Sequence, residues 1–98
     1  MIRQAGQPGA RYIQNGAFEY ERIEDHIFLI DPAQNRIHAL NAAAAGIWDL
    51  LDEGTTLNEL VQLFHEAYPN QPRKQLRRDI LVALRNLQRL GAINSACQ

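Results

Sequence analysis

The chain has one cysteine, Cys97, next to the C-terminal Gln98. An internal disulfide is excluded, and no cysteine-based metal cluster can be assembled. The six glycines are scattered, so no glycine-rich loop is available to cradle a phosphate. No apolar run approaches the roughly 20 residues that a membrane span requires. The opening stretch MIRQAGQPGA lacks the apolar core of a secretory signal. An excess of one charge is also missing: ten Lys and Arg against eleven Asp and Glu give a formal net charge of -1. Nothing draws the whole molecule toward nucleic acid or anionic lipid. These absences lead to the expectation of a cytoplasmic protein with no membrane association.

What is present fits one small domain. The chain has 98 residues, of which 46% are hydrophobic, enough for a core but near the lower size limit for an independent fold. Residues 1–16 carry Gly6, Pro8, Gly9 and Gly16 and read as a flexible arm. An ordered domain is expected over 17–94, with a short tail at 95–98. FEYERI (18–23) alternates, IFLI (27–30) is uniformly apolar, and RIHAL (36–40) follows the turn residues DPAQN (31–35). Three strands on short turns make an antiparallel meander with the second strand central and the third at an edge.

Three helices are expected next. Asn41 can cap a first helix over about 42–53, which buries Ala44, Ile47, Trp48 and Leu51 and stops at Gly54. Thr56-Leu57-Asn58-Glu59 fits a capping box opening a second helix over 57–68. Its apolar face is Leu57, Leu60, Val61, Phe64 and Tyr68. A third helix begins near Pro72 and ends at Gly91, with Leu76, Ile80, Ala83, Leu87 and Leu90 as its core stripe. The expected fold class is α+β, a three-stranded antiparallel sheet followed by three helices, winged-helix-like. Ala42 to Ala45 start the first helix directly off a strand and let a neighbour pack closely.

Residues able to do chemistry are present but not grouped. His26, His38 and His65 show no ligand spacing. Asp49, Asp52 and Glu53 fall near a helix C-terminus, where carboxylates are mildly unfavourable, and read as a solvated face. Ser95 and Cys97 lie in the tail with no base placed beside them. No catalytic constellation emerges, so a binding protein is expected and not an enzyme, with no cofactor and no metal.

Two features mark where binding would occur. The edge strand Arg36, Ile37, His38, Ala39 and Leu40 presents unpaired backbone groups that invite another chain. On the third helix, one flank carries Arg77, Leu81, Leu84, Arg85 and Gln88. Its two leucines widen the apolar stripe and its arginines border it, which suits an extended, acidic, amphipathic segment. A protected sheet edge and a wide core stripe with a solvated basic face are the competing readings.

The sequence resembles the PqqD family. The resemblance is carried by Leu40, Asn41, Ala44, Ile47, Trp48, Leu50 or Leu51, and Gly54; then by Thr56, Leu57, Glu59 and Leu60; then by Leu87, Gly91, Ala92 and Ile93. It covers about residues 18–93. It implies a RiPP recognition element, which binds the leader part of a ribosomally made precursor peptide and presents it to a modifying enzyme, often a radical SAM enzyme. In the quinone branch that peptide is the precursor of pyrroloquinoline quinone. The resemblance further implies that the leader docks as an added strand between the third strand and the third helix. Two other readings stay open beside it. A winged-helix DNA-binding protein would place the third helix in the major groove, against the acidic 24–31 region. A homodimer would pair two open edges across a two-fold axis.

Overall fold

Turn chemistry in the middle of the chain sets up a hairpin ladder. The computed structural model describes residues 10–96. There, β2 (Glu19–Ile23), β3 (His26–Asp31) and β4 (Arg36–Leu40) form an antiparallel sheet in the order β2-β3-β4. The register pairs Tyr20 with Leu29 and Arg22 with Ile27, then Leu29 with His38 and Ile27 with Leu40. Opposed residues share a face, so Tyr20, Arg22, Ile27, Leu29, His38 and Leu40 all point one way. That face meets the helices: Ile27 and Leu29 are fully buried. The β3–β4 turn is fastened by the buried Asp31, whose Oδ1 accepts from the backbone of Ala33 at 3.0 Å and Gln34 at 3.3 Å. Asn35 completes it in the left-handed region at φ 54, which Asn tolerates.

The helices are α1 (Ala42–Leu50), α2 (Leu57–Ala67) and α3 (Arg73–Leu90). The Asn41 side chain accepts from the Ala44 amide at 2.8 Å, as its position before the alanines predicts. Thr56 caps α2, with the Glu59 amide donating to Thr56 Oγ1 at 3.2 Å and that hydroxyl, instead of the Thr56 backbone, donating to Glu59 Oε1 at 3.1 Å. Gly91 ends α3 at φ 83, and the Ala92 amide reaches back to the Leu87 carbonyl at 3.0 Å. Helix α1 is shorter than the expected 42–53. The reason lies in a strand that takes its terminal carbonyls.

That strand, β1 (Arg11–Gln14), corrects the flexible arm. Gln14 donates from its amide to the Leu51 carbonyl at 3.1 Å and from Nε2 to the Trp48 carbonyl at 2.7 Å. The Leu51 carbonyl at the end of α1 thereby gains a partner, and the Trp48 carbonyl, already bonded to the Leu51 amide, gains a second. β1 is the middle of a second antiparallel sheet, ordered β5-β1-β6, with β5 (Thr55–Thr56) and β6 (Ile93–Ala96). The tail expected at 95–98 is likewise corrected, since Ser95 and Ala96 pair with Tyr12 and Arg11. The rest of the expected arm, 1–9, and of the tail, 97–98, lies outside the described residues. Tyr12 is fully buried among Ile27, Leu29, Ile47, Trp48, Leu51, Leu60, Leu84 and Leu87. The fold is α+β as expected, with one more sheet than expected. No helix among the described residues is long and apolar enough to cross a membrane.

Candidate functional site

β3 pairs with one side of β4, and among the described residues no strand pairs with the other, so β4 is a sheet edge. Ile37 and Ala39 point away from the helices and are exposed, Ile37 by 69%, and Arg36 is exposed at the start of the strand. Beyond the open edge stands α3, and the space between is a groove of about 450 Å³. Ala39 and Leu40 form one wall, and Asn41, Ala43 and Ala44 close the end where α1 begins. Asp79, Val82, Ala83, Asn86 and Leu90 form the opposite wall. Small residues at 43, 44 and 83 keep that space open. Leu87 and Leu90 make the floor apolar.

The strand half of the expected site is therefore at the groove, with Ala39 and Leu40 lining it and Arg36, Ile37 and His38 continuing along the same edge. The helix half is not. Arg77, Leu81, Arg85 and Gln88 lie about half a turn around α3 from Asp79, Val82, Ala83, Asn86 and Leu90. Leu84 is fully buried in the core, and Leu81 packs against it. Arg77 donates to Asn58 Oδ1 on α2 at 3.4 Å, and Arg73 donates to Gln62 Oε1 at 2.8 Å. The flank bearing Leu81 and Leu84 is apolar because α2 and the core cover it. A helical wheel finds the core stripe but treats its two flanks alike. The groove flank is the one that holds Ala83 and Asn86, the side with the smaller residues.

Electrostatically the site is mixed. Asp79 is the sole acidic residue of α3, and its Oδ1 accepts from Gln75 Nε2 at 2.9 Å. Lys74, Arg78, Arg85 and Arg89 are exposed on the outer side of the same helix. The meander is tied to α1 by Arg22, which meets Asp49 at 2.6 Å. That hydrogen bond and the Asp49 charge raise the guanidinium above its usual value. The same face carries an edge-on contact of Tyr20 with Trp48, ring centres 5.9 Å apart. Among the described residues, no three or more His, Cys, Asp or Glu side chains group to hold a metal ion.

A family model described as Coenzyme PQQ synthesis protein D (PqqD) matches residues 26–93. The chain belongs to the PqqD family. The matched span runs from the start of β3 to the first residue of β6, so it contains both walls of the groove. The PqqD resemblance read from Leu40–Gly54, Thr56–Leu60 and Leu87–Ile93 thus holds. A solved structure described as TbiB1 in complex with the TbiA(beta) leader peptide is similar to this PqqD-family chain. Its TM-score is 0.77 at 24% identity, over 88% of this chain and 99% of that one. At that identity the likeness establishes the fold. No curated protein sequence matches the chain.

Proposed function

We propose that this PqqD-family chain is a RiPP recognition element. It binds the leader segment of a ribosomally synthesised precursor peptide and presents it to a separate modifying enzyme. The observation that carries the reading is the open β4 edge facing α3 across an apolar groove. An extended peptide laid along β4 gains backbone hydrogen bonds worth ~0.5–1.5 kcal/mol each, net of water. Those bonds are indifferent to sequence, while the groove walls select side chains. The structure similar to this one is described as a leader-peptide complex, which supports the same reading here. In it the chain makes and breaks no covalent bonds. It works in the cytoplasm, and the chemistry belongs to the partner enzyme, a radical SAM enzyme being one candidate class.

The peptide-contacting residues in this proposal are Arg36 to Leu40 on β4 together with Asp79, Val82, Ala83, Asn86 and Leu90 on α3. The test is a titration of the isotope-labelled chain with synthetic peptides covering the leader segments of short precursors encoded beside its gene. Amide shifts concentrated in 36–44 and 79–90 are expected. Shifts centred on Arg77, Leu81, Arg85 and Gln88, or shifts with duplex DNA and none with peptide, would sink it. An open edge also offers a place for a second copy of the chain. Light scattering across concentrations, with and without peptide, separates the two uses.

A further inference from the structure

A second recess opens beyond the β4–α3 groove. It lies between α1, α2 and α3, with a volume of about 340 Å³ and walls of Gly46, Ile47, Phe64, Tyr68, Leu76 and Ile80. Ala43 and Asp79 line this recess and the groove alike. The two are adjoining stretches of one depression that follows α3. From Leu90 to Leu76 the helix rises ~21 Å, the length of about six extended residues. β4 has five residues and ends at Leu40, just where α1 begins and the recess opens. A strand added to β4 therefore leaves the sheet with its next residues at the mouth of the recess.

The chemistry changes along that path. The groove offers backbone pairing, whereas the recess offers a half-open apolar space with the Phe64 and Tyr68 rings stacked at 6.4 Å on one side. Between them stands Asp79. Its Oδ1 is engaged by Gln75, and the carboxylate keeps further acceptor capacity. The other charges of α3 are cationic and none of them lines the groove or the recess.

We propose that the recess is a second subsite for the leader, a reading that rests on the added-strand function above. An apolar or aromatic side chain just beyond the paired strand enters between α1, α2 and α3. A basic residue beside that anchor meets the Asp79 carboxylate at the junction. Asp79 is then a specificity-determining residue, and the ligand is an amphipathic peptide with a cation next to its anchor.

The test selects a randomised displayed peptide library against the full chain, Asp79→Lys and Gly46→Leu, with the fold of each variant checked by circular dichroism. Wild type should enrich peptides pairing an apolar anchor with a neighbouring Lys or Arg. Asp79→Lys, at an exposed site, should exchange that basic preference for an acidic one. Gly46→Leu fills the recess and should weaken wild-type-selected peptides roughly tenfold or more, the effect of ejecting one apolar anchor. Peptides that shift the β4 amides yet bind both variants as tightly as wild type overturn the second subsite and leave the added-strand function standing. A library that yields no peptide able to shift β4 overturns both.

Discussion

Gly46 stands at the fifth of the nine positions in α1, where a glycine costs ~0.5–1 kcal/mol relative to alanine. Gly46→Ala is the most informative single change. A Cβ built there comes 3.5 Å from Phe64 Cζ, an ordinary van der Waals contact. No overpacking offsets the helix-propensity gain, and the added methyl covers part of the Phe64 ring. The expected stabilisation is about 1 kcal/mol, which for a domain of this size raises Tm by ~4–8 °C. Thermal unfolding by circular dichroism reads it, and urea unfolding should show a higher midpoint at unchanged slope. The same methyl narrows the α1–α2–α3 recess, so a leader peptide that uses the recess should bind more weakly to the more stable protein. A lower Tm would refute the reasoning, because Phe64 would then sit too close to admit a side chain and the recess would not have the shape described.

Three further outcomes follow from contacts already given. Ala83→Arg places a long side chain in the β4–α3 groove from an α3 position outside the fully buried set; it should abolish peptide binding in calorimetry at little cost in helicity, whereas Arg77→Glu with Arg85→Glu, on the far flank, should change affinity less than about twofold, within the range of exposed charges. Tyr12→Ala should cost ~3–5 kcal/mol in denaturant unfolding, as for other large buried aromatics, although the residue falls in a stretch that composition marks as an arm. Thr56→Ala removes the cap that receives the Glu59 amide and should cost about 1 kcal/mol, read as a shift in Tm with peptide affinity intact.

The parts of the fold that were legible are those whose signals are local. Asn41, the Thr56–Glu59 box and Gly91 each announce a helix end through the bonds they form, and the structure contains those bonds. The meander was legible because Asp31 and Asn35 make a turn between apolar stretches. β1 was not, because RYIQ is short and follows Gly6, Pro8 and Gly9; its order comes from distant partners, the Trp48 and Leu51 carbonyls and the strand Ile93–Ala96. β6 depends on β1 in turn. The site divided along the same line. The β4 edge follows from strand order, which short turns dictate. The groove flank of α3 follows from which side α2 occupies, and periodicity along α3 carries no record of that. Leu81 and Leu84 looked like a binding strip for the same reason that they are core: both uses ask for apolar side chains.

The pairing of Arg11 with Ala96 brings the two ends of the described chain to one spot. A linker attached at either end therefore departs from the same place on the surface. A partner joined at Arg11 or at Ala96 starts from nearly the same distance to the groove and would meet a bound peptide at a concentration set by the length of the connection. Connections leaving Arg11 and Ala96 start side by side, so the described domain fits in a loop of a larger protein across a short gap.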